Sequence, residues 1–247
     1  MPLRKLLEKA GVKSGAVQVR FGGLDSGAMP KTPPFAKSLD ISHAIDGTVI
    51  VAYGMNGEQL PVLNGFPLRL VVPGWYATYW VKALNHIEVL DAPDNGYWMK
   101  KAYLIPNTPD ADMRPGDESV EMVPIGPMKP RSFVTNLRAG ASVPVGQRIA
   151  VRGIAFGGDN GLAKVLFSSD GGTSWKEAGL GQDFGRFSFR RWESSFVAKE
   201  PGTHVLIARA VNSHGVAQPM RPNWNPGGFM RAAVEPVEVR ASQEAAS

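Results

Sequence analysis

The sequence predicts an α+β chain in two parts, a mixed first part with one helix and an all-β second part. Three observations lead there. Helical periodicity occurs once, near the start. Short β-like runs set off by turn residues occupy most of the remainder, as expected from 28 glycines and 20 prolines in 247 residues. Between the parts, residues 105–131 keep no period at all.

The helix is expected over residues 3–10, LRKLLEKA. Leu3, Leu6, Leu7 and Ala10 fall on one face, and Gly11 follows as a stop. Extended runs at residues 17–21, 48–53, 68–72 and 86–90 are expected strands, with Asn56 and Gly57, then Asn64 and Gly65, as turn pairs. The segment IPNTPDADMRPGDESVEMVPIGPMKPR is rich in proline and charge and is expected to be a linker or wrapping segment. This puts the domains at 1–125 and 126–241, with a small polar tail at 242–247. After Ser132 the pattern is strongly β, with strands expected at 148–156, 163–168, 203–212 and 233–239. Turn residues separate them, as at Asp159 to Gly161 and Asp170 to Gly172. About seven strands in roughly 110 residues suit an immunoglobulin-like sandwich, here without the paired cysteines of antibody domains.

Several classes of function are excluded on composition. Cysteine is absent, so these residues offer no disulfide, iron–sulfur cluster, haem thioether or thiolate zinc site. Lys and Arg (27) outnumber Asp and Glu (22), but they are scattered, and no basic block marks a nucleic-acid surface. No run of about 18 apolar residues suggests a membrane span. The opening MPLRKLLEKAGVKSG lacks the apolar core and cleavage site of a secretory signal. His43, His86, His204 and His214 stand far apart and read as surface or hydrogen-bonded histidines. No nucleophile elbow, HExxH or P-loop is present. Ser168-x-Asp170-x-Gly172-x-Ser174-Trp175 resembles the Asp-box turn of sialidase-like propellers. It occurs once, so a well-made hairpin turn is the expected role.

The most informative stretch is residues 53–91. Pro73 and Gly74 close a strand, and Trp75, Tyr76, Tyr79 and Trp80 crowd the loop before Lys82. Those residues alone suit a flat ligand platform and an aromatic core corner equally well.

The words MNGEQLP, NGFPLRLVVPGWYATYWVK and GYWMKKAY resemble the sulfite oxidase family of molybdopterin-dependent oxidoreductases. VRFGGLD upstream and RGIAFGG, SSDGGTSW and RPNWNPGGFMR downstream fit the same family. The likeness is nearest the bacterial sulfite dehydrogenase branch and runs over essentially the whole chain, as a C-terminal part of the family. It implies a partial mixed α/β molybdopterin-binding domain, followed by an immunoglobulin-like dimerisation domain. It also implies pterin-cofactor contacts at Asp25 in GGLD, at Asn64, at Arg69 in GFPLR, and at Trp80, Val81 and Lys82 in YWVK. Arg69 offers a planar fork and Lys82 a point charge to the phosphate of such a cofactor, and Asp25 an acceptor to its N–H groups. Asn64 stands where many animal and plant members have histidine. Tyr103 in MKKAY is implied to face the substrate pocket.

The implied reaction takes sulfite to sulfate on a molybdenum–molybdopterin cofactor and passes electrons to a c-type cytochrome. A periplasmic homodimer is implied too. Two departures stand out. Pro226, Gly227 and Gly228 occupy a loop where the family often has arginine, and the cysteine that ligates molybdenum, carried upstream of LRKLLEKAGV in the family, is absent. Three readings stay open: an incomplete form of a sulfite dehydrogenase, a subunit completed by a cysteine-bearing chain, or a non-enzymatic dimerisation or interaction remnant.

Overall fold

The computed structural model describes all residues except Ser26, Ala28, Met29, Pro30 and 244–247. The chain divides into two compact units. The first comprises Met1–Gly126 with Asn225–Phe229, and the second Pro127–Trp224 with Met230–Ser247. The polar tail expected from residue 242 lies outside the described residues from 244 onward, and the last strand reaches Ser242.

In the first unit the helix Leu3–Ala10 forms as its periodicity demands, burying Leu3 and Leu7. Arg4 and Glu8 pair at 3.3 Å across one turn of its exposed face. Gly11 closes it at φ 79°, with its N–H shared between the carbonyls of Leu7 and Glu8. Three antiparallel strands form the main sheet, in the order Ala36–Asp40, Gln18–Gly23, Leu84–Leu90. Val19, Phe21 and Leu39 from this sheet, with Val51 and Leu70 from the pair Ile50–Ala52 and Arg69–Val71 and the flanking Val49 and Val72, are all fully buried in the core. Asn56 and Gly57, both at positive φ, turn a two-residue hairpin between Gly54–Met55 and Glu58–Gln59.

The segment expected to be a linker or wrapping segment holds a hairpin. Leu104–Pro106 pairs with Met122–Pro124 in antiparallel register. Prolines sit at strand ends in both, positions where their missing N–H costs no ladder bond, and they hid the strands from period-based reading.

The second unit is two sheets around one core. One has the order Arg131–Val134, Arg148–Phe156, Arg190–Val197, Gly179–Leu180. The other has the order Ala141–Pro144, Val237–Ser242, Gly202–Asn212, Leu162–Ser168, Lys176–Glu177. Trp192, Val151, Ala155 and Phe196 from the first sheet meet Phe167, Val165, Leu206, Ala208 and Val239 from the second in one apolar cluster. Gln218, fully buried, accepts from Ser132 N–H and Ala210 N–H through Oε1 and donates through Nε2 to the Ala233 carbonyl. A buried amide so fully satisfied ties three segments together at little desolvation cost.

The turn after Leu162–Ser168 has the role expected of it. Asp170 accepts from the Ser168 hydroxyl at 2.7 Å, the Ser174 N–H at 2.9 Å and the Ser174 hydroxyl at 2.5 Å. Trp175 Nε1 donates to the Gly172 carbonyl at 3.0 Å. The motif is a hairpin device between Leu162–Ser168 and Lys176–Glu177.

Candidate functional site

The segment Trp80 to Leu84 organises the first cluster, because its backbone is bonded on both sides. On one side Leu70 N–H donates to the Val81 carbonyl, Ala83 N–H to the Gly65 carbonyl, and Leu84 N–H to the Leu68 carbonyl. On the other side Leu24 N–H donates to the Ala83 carbonyl. Close approach is possible only because both neighbours lack a side chain. A Cβ on Gly23 would lie 2.3 Å from the Lys82 carbonyl oxygen, and one on Gly65 3.0 Å from Lys82 Cα. The Asp25 loop, the Asn64 turn and the strand of Arg69 are thereby brought against Trp80, Val81 and Lys82.

Within this cluster Arg69 is half-buried, its guanidinium 5.6 Å from the Trp80 ring centre. One terminal nitrogen donates to the Asn64 carbonyl at 3.3 Å, while the buried Nε has no acceptor among the described residues. The Trp80 ring is itself fixed by Nε1 donating to the Val72 carbonyl at 2.7 Å. Lys82 is exposed, and among the described residues its Nζ reaches only a long contact of 3.5 Å to the Leu63 carbonyl. Asp25 is exposed and Asn64 half-buried. Val81 is buried in the core and its N–H and C=O are both bonded to backbone, so its contribution is to fix the segment. Around these polar groups lie exposed apolar side chains: Leu24, Val62, Leu63 and Phe66.

This donor set fits an anionic, planar group such as a molybdopterin. Among the described residues Arg69 Nε is an orphaned buried donor, and the planar guanidinium beside the indole offers its remaining N–H groups to a phosphate. Lys82 adds a mobile charge and Asp25 an acceptor. The chain's residues include no cysteine and therefore supply no thiolate to a metal. Among the described residues no group of three or more His, Asp or Glu side chains stands close enough to hold a metal ion.

The aromatic loop divides its work. Trp75 faces inward, stacked on His43 at 4.7 Å and edge-on to Tyr79 at 4.9 Å. His43 Nδ1 meets Asp46 Oδ2 at 2.8 Å. The Asp46 carboxyl is held below its usual range; burial opposes this, and the bonds from Thr48 and His43 outweigh it. Trp75 and Tyr79 are thus a core corner, while Trp80 forms the platform under Arg69.

Tyr103 stands in a second cluster. Its ring contacts Phe35, Trp98 and Phe229 at centroid distances of 6.3, 6.0 and 5.8 Å. Phe229 arrives on the loop Asn225–Phe229. The Asn225 side chain holds that loop, accepting from Phe229 N–H at 2.9 Å and donating to the Ala111 carbonyl at 3.0 Å. The two clusters are linked through Tyr79, next in sequence to Trp80, and Lys37, whose ammonium lies near both Tyr79 and Tyr103. Sequence reasoning missed Lys37, Phe35, Trp98 and Phe229. No spacing rule singles out a lysine in AKSLD, and the aromatic partners come together only in the fold.

The family model for the oxidoreductase molybdopterin binding domain matches residues 1–98, and that for the Mo-co oxidoreductase dimerisation domain matches residues 123–241. Sulfite oxidase of Gallus gallus is 34% identical over 94% of this chain and 52% of its own length. Mitochondrial sulfite oxidase of Rattus norvegicus is 30% identical over 95% and 44%. Sulfite oxidase of Arabidopsis thaliana is 30% identical over 94% and 62%. The chain spans about half the length of these relatives. The crystal structure of the sulfane dehydrogenase SoxCD from Paracoccus pantotrophus superposes with a TM-score of 0.79 at 23% identity. It covers 96% of this chain and 58% of its own, which establishes a shared fold. With a molybdopterin-binding match followed by a dimerisation match along most of its length, the chain belongs to the sulfite oxidase family of molybdopterin-dependent oxidoreductases.

Proposed function

We propose that this chain supplies the phosphate-holding and substrate-facing side of a molybdopterin site in an enzyme that oxidises sulfite to sulfate. The observation that carries the reading is the convergence of Asp25, Asn64, Arg69 and Trp80 to Lys82 on one backbone segment, with Arg69 Nε buried and unpartnered. When bound, the molybdenum cofactor supplies oxygen-atom transfer to sulfite and takes up the two electrons released. Arg69 and Lys82 hold the cofactor phosphate, Trp80 keeps the guanidinium plane fixed, and Asp25 accepts from the pterin ring N–H groups. Tyr103 presents its phenol to the oxyanion substrate, and the apolar residues around Leu63 and Phe66 exclude water beside the cofactor. Electrons leave to a c-type cytochrome, and the enzyme works in the periplasm.

In the same reading the second unit is immunoglobulin-like and pairs two copies of the chain. What supports this is its strand order in two sheets and the parallel pairing of Ala141–Pro144 with Val237–Ser242. A second reading stands beside the first, in which another polypeptide brings the thiolate. A remnant that only dimerises or binds a partner would hold no pterin. The test is pterin content per chain, by fluorescence after oxidative release, in protein made by a host that synthesises molybdopterin. Retention in the wild type, lost in the Arg69→Ala, Lys82→Ala double variant, is expected. Equal retention in both places the phosphate elsewhere, and none in either leaves the remnant reading.

A further inference from the structure

Lys37 is a fully buried lysine on the strand Ala36–Asp40, in which four of five residues are buried. Its ammonium donates to the Trp98 carbonyl at 2.7 Å and lies 5.0 Å from the Tyr79 ring centre and 5.5 Å from that of Tyr103. An ammonium has three donors, and among the described residues that carbonyl is its one hydrogen-bond partner. The carboxylate whose charge it feels, Asp94, is spent elsewhere. It accepts from the Ser38 hydroxyl at 2.6 Å and Gly96 N–H at 2.7 Å, and faces Arg20 at 3.7 Å. Burial lowers the lysine to a pKa of about 8, with Asp94 opposing.

The neighbouring backbone is strained. Tyr103 has φ 55°, a left-handed conformation that a bulky side chain adopts only where its surroundings impose it. Those surroundings are Trp98, Phe35 and Phe229, and Trp98 is in turn pinned by Nε1 donating to the Pro34 carbonyl at 2.9 Å and by its own carbonyl on Lys37. A buried cation and a strained phenol meet at one cluster, with little of the charge neutralised locally. Buried, perturbed charges of this kind cluster at functional sites.

We propose that Lys37 is a positioning residue for a small sulfur oxyanion held at Tyr103: it fixes the Trp98 and Tyr103 rings and places an uncompensated positive charge behind the phenol. The inference rests on the reading of Tyr103 as substrate-facing and adds what draws the anion there. The groups that face Lys37 are the Tyr79 and Tyr103 rings and Asp94, with Arg20 reaching it only through Asp94 and Asp40 acting on Tyr79.

The experiment titrates the full chain with sodium sulfate, an unreactive analogue, and follows tryptophan fluorescence between about pH 6.5 and 9.5. Wild type is expected to bind and to lose about tenfold in affinity as the pH rises through the lysine's value near 8. Lys37→Met is expected to bind about tenfold more weakly at pH 7 with no pH step. Lys37→Arg, which keeps its charge across the range, is expected to bind without the step. Near-UV circular dichroism checks that each variant is folded; if Lys37→Met is not, the arginine variant decides alone. No sulfate response in the wild type, wild-type affinity and profile in Lys37→Met, or a persisting step in Lys37→Arg each overturns the proposal. Unchanged affinity in Tyr103→Phe removes the route through the phenol. Pterin retention after Arg69 and Lys82 substitution is read separately, so a failed cofactor reading and a failed Lys37 inference give different results.

Discussion

Gly65 and Lys82 pack backbone to backbone: a Cβ on the glycine, at φ 102°, would stand 3.0 Å from both Cα and Cβ of the lysine. The cluster of Asn64, Arg69, Trp80 and Lys82 depends on that contact, since the Gly65 carbonyl also accepts from Ala83 N–H at 3.2 Å. Gly65→Ala should therefore lower the stability of the first unit by about 2–3 kcal/mol, from forbidden φ and overlap together. Urea unfolding followed by tryptophan fluorescence measures it, and a loss under about 0.5 kcal/mol would mean the turn relaxes freely.

Lys37 makes stability depend on pH in a predictable direction. Its folded pKa, about 8, is below the unfolded value of 10.5. Between these the unfolded chain binds more protons, so stability rises with pH across that window, by up to roughly 3 kcal/mol. Lys37→Met should lack this rise and be as stable as wild type or more stable at pH 7. Denaturation midpoints at pH 7, 8, 9 and 10 in both proteins test it; parallel curves would assign the alkaline behaviour to other groups.

In the second unit Gly153 is hemmed in by Trp192 and by the Phe133 carbonyl, at 2.4 and 2.0 Å from the position of a Cβ. Gly153→Ala should cost about 3 kcal/mol or more by forcing the indole out of the core between the sheets. Loss of the near-UV dichroism of the buried tryptophan, with the unfolding midpoint, reports the effect. A wild-type midpoint would show that the sheet can bow around the methyl group.

The Asp170 turn predicts resistance to acid. Bonds from Ser174 and Ser168 hold its carboxyl far below the usual range. A group depressed in this way contributes its stability above the unfolded value near pH 4 and gives it up only well below. Asp170→Ala should lower the thermal midpoint of the second unit at pH 7, with the difference from wild type unchanged down to pH 4. A difference that vanishes by pH 5 would contradict the assignment.

Much of this fold was legible because local chemistry and tertiary structure agree. LRKLLEKA followed by glycine reads as a helix and is one, and residues 148–156 alternate as a strand and form one over those bounds. The misses share a cause. Ala36–Asp40 buries Ala36, Lys37, Ser38 and Leu39 in succession, so neither alternation nor composition marks it as a strand. In Arg190–Val197 a buried Trp192 and Phe196 are separated by charged and hydroxyl residues. The expected last strand, 233–239, begins later, at Val237.

The site divides the same way. Arg69, Trp80 and Lys82 were legible through a resemblance resting on contiguous words of sequence. The cluster around Tyr103 draws on residues 35, 37, 98 and 229, and nothing along the chain announces that these meet.

The second unit ties its second strand to its last. Ala141–Pro144 runs parallel to Val237–Ser242, and the ladder is closed at its margins by Gly140 N–H on the Glu238 carbonyl and Val145 N–H on the Ser242 carbonyl. Tension applied through the two flanking stretches of chain would pull parallel neighbours lengthwise past each other. The ladder bonds would then be loaded together in shear instead of opening one by one like a zip.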